Sequence, residues 1–204
     1  MKRKEFFSAK RVTGMAVLLA LVIVLQLLGG YFKIGATSLS FVLVPIVLGG
    51  ILYGSAVGAF LGFAFGFITL LYGITGADPF TAILFQEQPF ATVLICIGKG
   101  TLSGFVAGVL YKETAKKSEY GATFVSAITA PVVNTGLFIV GCLCLLKDTL
   151  QANFVAEGTT LLYFLFIVCA GVNFLVELAI NLIASPTVYR IMKVVNGKGK
   201  GNRK

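Results

Sequence analysis

Gly171-Val-Asn-Phe-Leu-Val-Glu-Leu-Ala-Ile-Asn181 lies inside the last long apolar run of the chain. Asn173, Glu177 and Asn181 fall at successive i, i+4 steps, so one face of a helix carries all three polar side chains. The residues around them, from Leu161 through Ile183, are almost all apolar. A carboxylate at the centre of a membrane helix costs roughly 2.5 to 3.5 kcal/mol on insertion scales, and it persists where it faces a bundle interior or finds a partner. The stretch therefore reads as a transmembrane helix with one polar face turned to its neighbours. That face is either a ligand site or a polar clamp between helices.

The whole composition agrees. Hydrophobic residues make up 57% of the chain and charged residues 12%, and mean hydropathy is +0.95, outside the range of soluble globular domains. The net charge of +9 would suit nucleic acid. However, the basic residues crowd the termini and one central loop, and no basic stripe is interleaved with aromatics. Histidine is absent, which excludes His-based acid–base catalysis, Ser-His-Asp or Cys-His sites and His-ligated metals. Cys96, Cys142, Cys144 and Cys169 all lie in apolar runs, where a free thiol behaves as a small hydrophobe. Neither a metal nor a cofactor is expected.

Six apolar runs predict an all-α integral membrane protein, one six-transmembrane-helix bundle, with helices at about residues 12–30, 39–53, 55–72, 90–111, 121–146 and 159–188. The first run follows basic residues as a signal peptide would, but it is too long for that and no small-x-small site closes it. The second is short and interrupted by Pro45, and Gly54 permits a tight reversal into the third. Gly54, Gly58, Gly62 and Gly66 form one four-residue stripe, and Gly100, Gly104 and Gly108 another. Such stripes let helix backbones approach closely. Between helices three and four, Asp78-Pro79 and Gln86-Glu-Gln-Pro89 bracket the apolar run Phe80 to Phe85, which dips into the membrane or covers a site. Pro131 is expected to kink helix five. The basic tail from about residue 196 is expected to be disordered.

Charge sets the orientation. Lys2, Arg3, Lys4, Lys10 and Arg11, the central loop with Lys112, Lys116 and Lys117, and the C-terminal basic residues from Arg190 fall on one side of a six-span topology. The opposite loops contain only Lys33 and Lys147, beside four acidic residues. The positive-inside rule then makes both termini cytoplasmic.

Lys99 is the remaining basic residue, inside helix four. Counting back from the first cytoplasmic basic residue of each helix puts Lys99 and Glu177 roughly 20 Å deep and Asn134 and Asn173 roughly 25 Å deep. Gln26 of helix one reaches a similar band. Lys99 and Glu177 read as an internal ion pair, a ligand site or both. Asn134 either caps backbone freed by Pro131 or touches a ligand. A polar patch at this depth, beneath loops bearing Gln86 and Gln88, suits a small polar molecule entering from outside.

The chain resembles the substrate-binding S components of energy-coupling factor (ECF) vitamin transporters over nearly its whole length. Ala16-Val-Leu-Leu-Ala20 matches the Ala-x-x-x-Ala pattern of that family's first helix. Pro131-Val-Val-Asn-Thr-Gly136 and Asn173-Phe-Leu-Val-Glu177 are similar to a bacterial group within it, and Leu84-Phe-Gln86 with Pro89 resembles its pantothenate-type members. The resemblance implies a non-enzymatic subunit of the bacterial plasma membrane that captures a vitamin, pantothenate first, with riboflavin or folate as alternatives. Asn134, Asn173, Lys99, Glu177, Gln26 and Gln86 would hold it, with the loops after helices one, three and five as gates. Ala16 and Ala20 would dock on the transmembrane T component, and two cytoplasmic ATPases would drive uptake, since the chain has no P-loop of its own. Two other classes compete: a membrane enzyme built on Lys99 and Ser103, one turn apart, and an assembly subunit with no ligand.

Overall fold

The computed structural model describes residues 9–30, 33–34, 37–38 and 41–201. The charges of Lys2, Arg3, Lys4, Arg203 and Lys204 lie outside the described residues, as do the side chains of Lys10, Lys33, Lys198 and Lys200. The described chain is a bundle of apolar helices. Its elements are α1 (Ala9–Gly29), a hairpin of β1 (Lys33–Ile34) and β2 (Thr37–Ser38), α2 (Leu43–Tyr53), α3 (Ser55–Thr75), α4 (Pro79–Glu87), α5 (Pro89–Thr114), α6 (Glu119–Leu145), α7 (Lys147–Phe154), α8 (Leu161–Tyr163), a π-helical segment (Phe164–Cys169) and α9 (Gly171–Gly201). Five helical stretches among the described residues are long and apolar enough to cross a membrane.

The expected second helix begins at Leu43 instead of about residue 39, leaving α2 only 11 residues long, roughly half the thickness of a bilayer core. It is also the helix at the centre. Eight of its residues are buried, because it packs against α1, α3, α5, α6 and α9. A helix that is apolar all round belongs in such a place. Pro45 sits near its N-terminus, where the missing N–H costs little, so it does not interrupt the helix.

The glycine stripes meet each other. A Cβ built on Gly58 would press on the backbone of Gly104, one on Gly62 on Gly100, and one on Gly66 on Cys96 and Ile97. The seam between α3 and α5 is thus antiparallel and nearly backbone to backbone, as small residues four apart allow. Gly54 is not part of it: it caps α2 with φ 96° and a Cβ there would meet nothing within 4 Å, so it acts purely as the turn. Ser103, fully buried in this region, donates its hydroxyl to Gly100 O at 3.0 Å.

Two expected loops contain helices. Asp78 caps α4, accepting from Thr81 N at 3.3 Å and Thr81 Oγ1 at 2.5 Å, with Pro79 at the first helical position, the residue order that starts a helix. α7 follows α6 almost directly. α6 runs uninterrupted through Pro131, and Ala127 O loses its in-helix donor there because proline has no N–H.

The last helix is not the single rod from about residue 159 that hydropathy suggests. Ala170 N bonds Leu165 O at 3.0 Å, a five-residue step that widens the helix just before Asn173 and Glu177. Gly171 tolerates the widening, since a Cβ there would lie 2.8 Å from Phe166 O. α9 then continues through Pro186 to Gly201, past the point where disorder was expected. Once a helix is nucleated each further residue adds a hydrogen bond, and the tail contains no proline to stop it.

Apolar packing divides into two clusters. One joins Leu18 and Val22 of α1, most of α2, Leu61 and Phe65 of α3, and Val188 and Met192 of α9. The other joins Phe80 and Leu84 of α4, Ile95, Cys142, Leu146 and Leu150, and the π-helical Phe164 and Leu165. Phe80 is the hub of the second, with ring centroids 4.9 Å from Phe154, 6.2 Å from Phe138 and 6.5 Å from Phe164.

Candidate functional site

Between the two clusters lies a cavity lined from α1, α3, α4, α5, α6 and α9. Its volume is about 90 Å³, below the roughly 300–1,000 Å³ range of small-molecule sites, so its walls must part to admit a ligand. α4, with Phe80, Thr81 and Leu84, forms part of its wall, so the apolar run between helices three and four lies against the cavity.

Five of the six residues singled out for ligand contact line this cavity. They are Gln26 of α1, Lys99 of α5, Asn134 of α6, and Asn173 and Glu177 of α9. These residues, levelled by counting along separate helices, share one cavity wall. Gln86 is not among them: it is exposed on α4, whose inward face is taken by Phe80, Thr81 and Leu84. Asn181 also stays out of the cavity. It is 3% exposed, donates Nδ2 to Glu177 O at 2.8 Å, and accepts at its own carbonyl from Ser185 Oγ at 2.8 Å. The polar face of α9 is thus divided, with the upper two residues in the cavity wall and the lower two bonded within the helix.

The suggested Lys99–Glu177 ion pair is absent; ion pairs among the described residues are Lys116–Glu113 and Lys193–Glu119. α5 packs chiefly on α3, whereas α9 packs chiefly on α6, so their side chains enter the cavity from different walls. The Lys99 ammonium lies instead over aromatic rings, 5.0 Å from the Phe138 centroid and 5.9 Å from Phe65, a cation–π arrangement worth up to about 2 kcal/mol when desolvated. Its hydrogen-bond donors remain available to an anion.

Two wall atoms are conspicuous for lacking partners. Gln26 and Asn134 are each 6% exposed, and among the described residues Gln26 Oε1 and Asn134 Oδ1 accept no hydrogen bond. Leaving a buried acceptor unmade costs about 1–3 kcal/mol. Both oxygens belong to residues that line the cavity.

Sequence reasoning passed over Thr69, Tyr72, Asp78, Thr92 and Phe138, all of which line the cavity. Asp78 carried a readable signal, since Asp-Pro opening an apolar run marks a helix start and hence an ordered segment. The hydroxyls carried none: Thr69 and Thr92 bond the carbonyls four residues back, as threonines do in any apolar helix. The Lys99–Ser103 dyad is not formed at the cavity, because Ser103 is spent on Gly100 O. Cys142 is buried and Cys144 exposed, so that pair does not converge, and no metal-holding group of three His, Cys, Asp or Glu occurs among the described residues.

Ala16 and Ala20 lie on the exposed side of α1, beside the outward-facing Val17, Leu21 and Val24.

A cavity of this kind, deep in a bundle of membrane-length helices, accompanies a direct match: residues 10–189 fit the family described as ECF transporter, substrate-specific component. The chain belongs to this family. No curated protein matches it. As an ECF substrate-specific component it is a multi-pass protein of the bacterial plasma membrane and a substrate-binding transport subunit, not an enzyme. Membership also gives it, in general terms, a small-molecule substrate and partner T and ATPase subunits.

Proposed function

We propose that this ECF substrate-specific component captures a vitamin, pantothenate in the first instance, from outside the cell, with both termini cytoplasmic. The observation that carries the reading is the composition of the cavity wall. Lys99 supplies a cation whose donors are not committed to a carboxylate, and Gln26 and Asn134 supply buried oxygens without donors. Pantothenate carries the complementary groups: a carboxylate for Lys99, and hydroxyls and an amide N–H for the side-chain amides. Asn173 adds a further amide to the same wall, and Glu177 beneath it accepts a hydroxyl hydrogen. Phe65, Phe80, Phe138 and Phe174 in the wall favour a second reading, a ring-bearing vitamin such as riboflavin or folate held by the same machinery.

Uptake in this reading depends on partners. Ala16 and Ala20 dock α1 on the T component through a flat, exposed face, and two cytoplasmic ATPases supply the energy. α4 acts as a cover over the cavity, together with the loop after α6; the expected gate after α1 lies mostly outside the described residues.

Native mass spectrometry of protein purified without added ligand, followed by titration against pantothenate, riboflavin and folate, tests the proposal. Lys99→Ala is expected to weaken pantothenate binding by roughly 10- to 150-fold, the loss of a charge-assisted hydrogen bond. An unchanged Kd would remove Lys99 from the site.

A further inference from the structure

Whether the α1 wall of the cavity asks for a donor or an acceptor is decided by a residue on α3. The Thr69 hydroxyl has one hydrogen, and it is donated to Phe65 O one turn back at 3.0 Å, the usual arrangement for threonine in an apolar helix. The oxygen can then only accept from its other neighbours. It accepts from Gln26 Nε2, 43 positions away in sequence, at 3.3 Å. A primary amide has its donor at one end and its acceptor at the other. With Nε2 turned to Thr69, Oε1 points elsewhere, into surroundings where the residue is 6% exposed and the oxygen has no partner among the described residues. Gln26, Thr69 and Phe65 all line the cavity. The bond order Phe65 O, Thr69, Gln26 thus runs in one direction and ends on an acceptor that nothing in the described protein satisfies.

We infer that Thr69 is a specificity-determining positioning residue, which holds the Gln26 amide with its oxygen toward the substrate so that the site selects a small molecule presenting a hydroxyl or N–H there. The inference rests on the reading of the cavity as the substrate site and narrows it. Lys99 on α5 asks for an anionic group, while Gln26 on α1 asks for a hydrogen-bond donor. A hydroxylated or amide-bearing acid meets both demands. A molecule whose corresponding edge carries only acceptors is rejected, because two carbonyl-type oxygens would then face each other in a buried place. Replacing Thr69 with valine removes the oxygen that fixes the amide, and Gln26 can then offer either end. Serine keeps the oxygen and should keep the selection.

The test measures Kd for purified full-length wild type, Thr69→Val and Thr69→Ser. The probes are pantothenate, its analogues with each hydroxyl replaced in turn by hydrogen, and the analogue with its amide N–H replaced by an ester oxygen. In the wild type one analogue should bind about tenfold or more weakly than pantothenate, as expected for an unmade buried hydrogen bond. Thr69→Val should reduce that ratio to about threefold or less, since a freed amide presents its other end, and Thr69→Ser should preserve it. The ratio is the decisive readout: a poorly folded variant loses binding-competent protein without changing the ratio of two Kd values. An unmoved ratio in Thr69→Val, or no discrimination among the analogues in the wild type, overturns the role of Thr69 while leaving the cavity as the binding site. If riboflavin or folate binds and pantothenate does not, the same comparison uses analogues of that vitamin lacking each donor. If none of the three binds the wild type, the reading of the cavity fails and this inference falls with it.

Discussion

Gly62→Ala probes the seam on which the cavity wall rests. An ideal Cβ at Gly62 would lie 2.6 Å from the carbonyl carbon of Gly100 and 3.2 Å from Thr101 N, and would press on Gly100 O. These neighbours are backbone atoms, so no side chain can swing aside. Restoring ordinary contact with the Gly100 oxygen requires α3 and α5 to separate by more than about 1 Å, an overpacking of the kind that costs about 1–3 kcal/mol. Alanine returns up to about 1 kcal/mol through helix propensity, which would blur the result if read alone. Gly98→Ala supplies the correction. It lies on α5 two residues from Gly100, and a Cβ there would meet nothing within 4 Å, so it gains the propensity term without the clash. The difference between the two variants isolates packing. At roughly 2 kcal/mol, and 2–4 °C per kcal/mol for a chain of this size, the Tm of Gly62→Ala should fall about 4–8 °C below that of Gly98→Ala in the same detergent. Because Lys99 sits between Gly98 and Gly100, the separation also moves the cavity's cation, and ligand affinity should fall with Tm. Gly62→Ala/Gly100→Ala should cost less than the two single changes added together, since the first already parts the helices. Equal Tm values for Gly62→Ala and Gly98→Ala would refute the backbone seam.

Other outcomes follow from the same geometry. Asn173→Ala should weaken ligand binding. Asn181→Ala should lower stability by about 1 kcal/mol as its bond to Glu177 O is lost. Phe80→Ala removes the hub of the outer cluster and should destabilise the protein by about 3–5 kcal/mol; with α4 loosened, stopped-flow release of bound vitamin should be faster, and an unchanged off-rate would argue against α4 as a cover. Ala16→Leu with Ala20→Leu, both on the exposed side of α1, should leave Tm and Kd of the isolated subunit unchanged while abolishing co-purification with the T component.

Much of this was legible before any coordinates. Asn173 and Glu177 stand on one helix face by simple periodicity, and counting residues from the basic flanks brought Gln26, Lys99 and Asn134 to the same level. Depth along a helix is a local quantity, fixed at 1.5 Å per residue. Direction across the bundle is not local. Counting could therefore level Lys99 with Glu177 but could not show that they enter from different walls, and the loop that put Gln86 above the site gave no sign that α4 turns that residue outward. The widened turn at Phe164–Cys169 had no signal at all, because a run of apolar residues reads the same with four-residue or five-residue bonds.

By itself, then, the chain's hydropathy determined a membrane bundle, and its glycine spacing determined where two helices could touch. Run length, charge placement and helical phase are properties of neighbours in sequence. The tertiary structure decided which polar atoms are left wanting. Gln26 and Thr69 are 43 positions apart, and only packing α1 against α3 gives that glutamine a direction. The chemistry of the cavity follows from that direction, since an amide turned one way seeks a donor and turned the other way seeks an acceptor.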